Sequence, residues 1–351
     1  MGKLFVLKKF KKLSTLVLLF CVTIFAAWGM TWMWDGTSNI SSISDADTNG
    51  SGVVLAAEPI HPIPLTQDLD EEKVALGERL FHEPKLSIND TISCATCHLL
   101  DKGGTDGLGT SLGMQGSNTG LNSPTVFNSG FHWRLNWDGS AATLEEQADG
   151  PVAAAKEMGG MSWEDVIDKL KRSTDYVSAF NRAYDDGVTG DNIKDAISIF
   201  QRSLYTPNAP FDRYLRGDEN AISDDAKAGY NLFKSYGCIT CHQGMLVGGN
   251  MFQKVGIFGD YFADRGNVIK SDLGRYNVTQ DDSDRHVFKV PSLRNITRTA
   301  PYFHDGNPKT LDEAIKLMGQ YQLGVDLPQE DVDLIMQFLI TLTGEYQGKP
   351  V

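Results

Sequence analysis

Four cysteines stand in two copies of one pattern. Cys94-Ala95-Thr96-Cys97-His98 is the first, and Cys238-Ile239-Thr240-Cys241-His242 is the second. A C-x-x-C-H run is the attachment motif of c-type haem. Two thiols three residues apart reach the two vinyl groups of one porphyrin, and the next residue offers its imidazole to the iron. Two other chemistries also use paired cysteines. A tetrahedral zinc site needs four N/S ligands and could draw on both pairs. A redox disulfide needs only one pair. However, a histidine follows each pair directly, and the pairs lie 144 residues apart. A redox pair has no need of that histidine. The pattern points to two covalently bound haems, attached at Cys94, Cys97, Cys238 and Cys241, with His98 and His242 as proximal ligands.

The elements that must carry these motifs read as mostly α. Glu71 to Phe81 places Val74, Leu76, Leu80 and Phe81 on one helical face. Ser162-Trp163-Glu164-Asp165 resembles a capping box before Ile167 and Leu170. Asn192 to Leu204, Ser223 to Tyr236 and Val332 to Leu342 have helical spacing, and Gly237 and Gly344 end the last two. Thr310 caps a further helix through Leu311, Ala314, Ile315 and Met318. Residues 103–130 and 248–286 are long and rich in Gly, Asn and Asp. A haem is itself a large apolar core element, so such loops can wrap it. The expected fold is two cytochrome c-like domains, at 58–210 and 211–351, although repetition beyond the two motifs is weak.

The first 34 residues differ in kind. Lys3, Lys8, Lys9, Lys11 and Lys12 precede the uncharged run Leu13 to Trp34. That run has 22 residues, against about 20 needed to span a bilayer. No small-residue cleavage site closes it, and Trp28, Trp32 and Trp34 look like an interfacial belt. Residues 1–34 read as a signal or membrane anchor, with the anchor favoured and the basic side in the cytoplasm. Cys21 reads as a buried apolar side chain. Residues 35–57 read as a flexible tether. Either way the remainder is exported to the periplasmic side. The whole chain has 351 residues and a net charge of −13. Without the five leader lysines, 27 of the 32 basic residues face 45 acidic ones, a net of −18. Clustered cations for nucleic acid are therefore not expected. With 41% hydrophobic and 22% charged residues, a packed protein is expected rather than a disordered one.

Further motifs run in order from Glu58 to Gly344. They are Leu76-Gly77-x-x-Leu80-Phe81, Leu86-Ser87, Ser93, Asn122-Ser123-Pro124-Thr125 and Trp137-Asp138-Gly139. Next come Glu146-Gln147-Ala148-x-Gly150-Pro151, Glu157-Met158, Phe288-Lys289-Val290-Pro291-x-Leu293-Arg294-Asn295 and Thr299 to Gly306. This ordered set resembles the bacterial dihaem cytochrome c peroxidases. The resemblance implies two unlike haems. The C-terminal one takes in electrons, with His242 and Met318 as axial ligands. A thioether is soft and raises the reduction potential. Spacing alone would make Met318 part of the Leu311–Ile315 core stripe, and only the resemblance makes it a ligand. The N-terminal haem, on His98, is by resemblance the peroxide site. There Glu157 matches the catalytic glutamate, and Gln147 the amide that positions peroxide. Without the resemblance, Glu157 would read as a solvated surface group. Trp137 matches the tryptophan between the haems, with a role in electron transfer. Asn122, Thr299 and Pro301 match ligands of an interdomain Ca²⁺, the last two through backbone carbonyls.

One position departs from the pattern. Many family members carry a histidine in the loop after the first haem motif, and it blocks the iron in the oxidised enzyme. Here Met114 stands at that position, and no histidine lies between His98 and His132. Met114 is either a weak, displaceable ligand or leaves an open site, so weaker gating is expected. His61, His82, His132 and His286 receive no role as ligands, and His304 is a candidate for contact with a haem edge or propionate only. The expected function is reduction of hydrogen peroxide with electrons from a small cytochrome c or cupredoxin, in a homodimer by resemblance. Two alternatives stand beside it. A dihaem oxidase of methylamine utilisation acts on a partner protein, and has tyrosine in place of the methionine found here as Met318. A non-catalytic dihaem carrier would need neither Glu157 nor Gln147.

Overall fold

A computed structural model describes residues 58–351. The leader and the tether lie outside the described residues. Among the described residues, no helix is long and apolar enough to cross a membrane.

The first haem motif is framed by five helices. Asp70 caps α1 (Glu71–Phe81) by accepting the Lys73 N–H. The motif itself forms the single turn α2 (Cys94–Cys97). Then follow α3 (Leu144–Ala153), α4 (Trp163–Lys171), α5 (Thr174–Ala183) and α6 (Gly190–Ser203). Ser162 and Asp165 form the expected capping box on α4. Leu76, Leu80, Leu170, Phe180 and Ile193 meet in one core cluster. α1 crosses α6 at Gly77, where a Cβ would stand 1.9 Å from the Ala196 carbonyl oxygen. Only glycine permits that approach.

The second motif sits in a similar frame. α7 (Pro210–Leu215) and α8 (Asp224–Ser235) precede it, and Gly237 turns the chain at φ 89°. After the motif come β1 (Phe252–Lys254), α9 (Tyr261–Arg265), α10 (Tyr276–Thr279) and β2 (Val287–Lys289). β1 and β2 pair antiparallel, with Phe252 opposite Lys289. α11 (Leu311–Met318) runs into a π turn, Gly319–Leu323, before α12 (Gln329–Ile340). The hairpin β3 (Glu345–Tyr346) and β4 (Lys349–Pro350) closes the chain. Phe211, Tyr230, Phe233, Phe338 and Leu342 form this second core. α8 meets α12 at Gly229, whose Cβ would lie 1.9 Å from the Leu334 carbonyl oxygen.

The two frames repeat more than the haem motifs. Gly77-x-x-Leu80-Phe81 and Gly229-x-x-Leu232-Phe233 occupy the same helix crossing. Pro124-Thr125-x-x-Asn128 and Pro291-Ser292-x-x-Asn295 also correspond. Both asparagines are left-handed, at φ 62° and 59°. Each takes its backbone bond from the chain leaving the crossing helix: Asn128 N–H donates to Leu204 O, and Asn295 N–H to Leu342 O. Both side-chain amides donate to one buried hydroxyl, Thr206 Oγ, at 2.9 and 3.1 Å. Thr206 thus ties the two repeats together.

Candidate active site

The two motif histidines are prepared alike. His98 Nδ1 lies 3.2 Å from the Gly104 carbonyl oxygen, and His242 Nδ1 lies 3.3 Å from that of Val247. A carbonyl only accepts, so Nδ1 carries the proton and Nε2 offers its lone pair. That is the tautomer an iron ligand needs, held by an outer partner. Burial lowers both pKa values, that of His242 to about 4. Both rings are therefore neutral. The four motif cysteines are free thiols. Burial pushes Cys94 up to about 12 and Cys238 to about 11. Cys97 also rises to about 11, through burial and then the charges of Asp106 and Glu157. A pair of thiols and a neutral imidazole at each motif is a donor set that fits c-type haem.

Around the first motif the structure brings Glu157 and Met114 together. Glu157 sits on the turn that ends α3, where its N–H donates to Ala154 O. Burial raises its pKa, and its charge is felt at Cys97. The Met114 loop lies directly on this turn. Met114 N–H donates to Lys156 O at 2.8 Å, and a Cβ at Gly113 would lie 2.9 Å from the Glu157 Cα. Met114 is buried. Gln147 is half-buried on α3, and no hydrogen bond joins it to Glu157 among the described residues.

The second motif opens on a cavity of about 290 Å³. Cys238, Cys241 and His242 form part of its wall, and Met318 another part. Met318 thus ends α11 facing a void, outside the packed core cluster that includes Ile315. Trp137, Asn122, Thr299 and Pro301 line the same cavity. Trp137 Nε1 donates to Asn122 O at 2.9 Å, and Asn122 N–H donates to His304 O at 2.8 Å. The Asn122 amide nitrogen is committed to Leu108 O, which leaves its Oδ1 as the available end.

The di-haem cytochrome c peroxidase family model matches residues 71–220. Over 289 residues the chain is 49% identical to cytochrome c peroxidase Ccp of Escherichia coli K12, covering 82% of this chain and 62% of that protein. Over 297 residues it is 43% identical to cytochrome c551 peroxidase of Nitrosomonas europaea, covering 84% and 87%. The chain belongs to the di-haem cytochrome c peroxidase family. Among solved structures, a MauG-like protein associated with microbial copper homeostasis superposes with a TM-score of 0.71 at 30% identity. That match covers 82% of this chain and 94% of the other.

In this peroxidase-family chain, several site residues had no sequence signal. Asp272 is fully buried and accepts from His304 Nε2 at 2.7 Å. Burial alone would raise its pKa, but His304, Arg265 and the Ile269 N–H together hold it below the ordinary range. Arg265 also pairs with Asp305. His304 packs on Phe288 at 4.4 Å between ring centroids and edge-on to Trp137 at 6.3 Å. Asp272 lies 32 residues before His304, and Trp137 lies 167 before it, beyond any local pattern. Asp272, His304 and Asp305 cluster as metal ligands would, yet the Arg265 guanidinium already fills that role.

Proposed function

We propose that the chain reduces hydrogen peroxide to water, with electrons from a small cytochrome c or cupredoxin. The observation that carries this reading is the difference between the two cradles. One holds a desolvated carboxyl, Glu157, beside the motif. The other has Met318 in the cavity wall with Cys238, Cys241 and His242, where its thioether would be a ligand for the iron. When bound, the haem irons supply the coordination position and the redox change. The protein supplies the proton path. Glu157 takes a proton from one peroxide oxygen and delivers it to the other, which leaves as water. Gln147 holds the bound oxygen by its amide. Two electrons and two protons balance one peroxide against two waters. Trp137, hydrogen-bonded to Asn122 and backed by His304, bridges the cradles for the electrons.

The finer assignments belong to the same reading. Thioether bonds from Cys94, Cys97, Cys238 and Cys241 hold both haems. Ca²⁺ is bound by Asn122 Oδ1 and the carbonyls of Thr299 and Pro301, all hard oxygen donors. The 58–210 and 211–351 halves act as peroxidatic and electron-transfer domains. Residues 13–34 keep the enzyme on the periplasmic face of the cytoplasmic membrane, or are removed to leave it soluble there. Homodimer formation rests on the family resemblance alone. Met114 gates weakly, because a thioether binds ferric iron less firmly than an imidazole.

The test is peroxide-dependent oxidation of a reduced small cytochrome c by the haem-loaded, calcium-replete chain. The fully oxidised enzyme should turn over without a lag. A lag abolished by half-reduction would keep the peroxidase and reject weak gating. Absence of turnover in both states would reject the activity and favour a carrier.

A further inference from the structure

The cavity at the second haem motif is walled without a single Asp or Glu. Two cationic side chains, Lys289 and Arg294, line it. Arg294 is provided for by the protein. It pairs with Asp212 at 2.7 Å and donates to Met245 O and His61 O. Lys289 is not. Its backbone is fixed by the β1 pairing and by its N–H bond to Trp137 O at 2.8 Å. Its side chain is 8% exposed. The ammonium has His132 Nδ1 at 3.5 Å and no carboxylate within 4 Å among the described residues. In a chain with 45 acidic residues, that omission is informative.

A buried ammonium without a counter-charge is costly. Burial draws Lys289 down to about 8, and burial with the neighbouring ammonium draws His132 to about 3. At neutral pH, Lys289 therefore stays mainly charged beside a neutral His132. The site is a fixed cation with a neutral imidazole beside it, both facing the space a porphyrin would fill. A haem brings two carboxylates of its own into that apolar space.

We propose that Lys289, with His132 beside it, is the anchor for a carboxylate of the C-terminal haem. This rests on the reading that a haem occupies the second cradle. The Lys289 backbone N–H bond to Trp137 O ties this anchor to the strand beside Trp137. The ammonium offsets the carboxylate's charge and so favours ferrous iron. Lys289 is thus a positioning and potential-setting residue for electron entry.

The experiment is a redox titration of the C-terminal haem in the haem-loaded full chain. Lys289→Met fills the same volume without charge. It should retain two haems and the thioether–iron absorption band. Its reduction equilibrium should shift about tenfold toward ferric, which is 59 mV lower for one electron. Lys289→Arg should restore the parent value. An unchanged potential in a doubly loaded Lys289→Met protein with that band intact would overturn the anchor alone. A parent chain carrying fewer than two haems would overturn both the anchor and the reading beneath it. Should the methionine variant fail to mature, a crystal structure of the haem-loaded parent decides. Lys289 Nζ within about 3 Å of a haem carboxylate supports the anchor, and a separation beyond hydrogen-bond reach overturns it.

Discussion

A carboxyl group held out of water shuttles protons better near neutrality than one on the surface, because its two forms are closer in free energy there. Glu157 is such a group, with desolvation as the cause of its raised pKa. It must start as the carboxylate to accept the first proton. Activity is then present above its folded pKa and lost as pH falls through it. The acid limb of kcat/KM should lie above the ordinary glutamate value of about 4.3. Glu157→Gln should lower kcat by about 10²–10⁴-fold and erase that limb, with both haem spectra unchanged. A variant that kept parental kcat would remove Glu157 from the chemistry. At this scale, the sequence was readable where a motif is contiguous. The two C-x-x-C-H runs pointed to haem attachment from their own spacing, against zinc and redox alternatives. Glu157 and Met318 were read through family resemblance, since one glutamate or one methionine on a helix looks like surface or core. Lys289 was read only as part of a family motif, and His132 was given no role as a ligand. Their meaning comes from a cavity assembled from residues 157 positions apart.

Two glycines show how the helices are fitted around the haem motifs. A methyl group at Gly77 or Gly229 would lie 1.9 Å from a carbonyl oxygen of the crossing helix. Neither backbone can yield without moving a whole helix. Gly77→Ala and Gly229→Ala should each destabilise the protein by about 1–3 kcal/mol, read as a lower denaturation midpoint. Gly150, whose added Cβ meets nothing within 4 Å, is the control. Its alanine variant should stay within about 0.5 kcal/mol of the parent. Equal midpoints for all three would mean the crossings relax freely. Helical periodicity did reveal α1, α4, α6, α8, α11 and α12, because each buries one stripe. α12 begins three residues earlier than Val332, where Pro328 starts the helix without a side-chain cap. α3 was missed because Gly150 and Pro151 lie inside it. The internal repeat was legible in part, as Gly-x-x-Leu-Phe and Pro-Ser/Thr-x-x-Asn. Such short patterns gain weight only when the fold superposes their roles.

Across the whole described molecule, the halves are joined by polar contacts around Asn122. From the first half, Asn122 accepts from Trp137 and donates its N–H to His304 O in the second. Its free Oδ1 shares a cavity wall with Thr299 and Pro301. A cation held by these oxygens would fix a segment that bonds both Trp137 and His304. Removing it should therefore affect transfer between cradles more than either cradle alone. Chelation of Ca²⁺ should lower peroxide turnover at least about tenfold while the Met318–iron band persists, since Met318 hangs from α11 and not from this junction. Ca²⁺ should restore the rate, and Mg²⁺ should not, because carbonyl-rich sites of this kind suit the larger ion. Asn122→Ala should reproduce the chelated rate and lose the response to added Ca²⁺. If chelation instead abolished the Met318 band, the ion would be holding the second cradle itself together. If chelation changed nothing, Asn122 would serve as a hydrogen-bonded strut and the interdomain ion would be excluded.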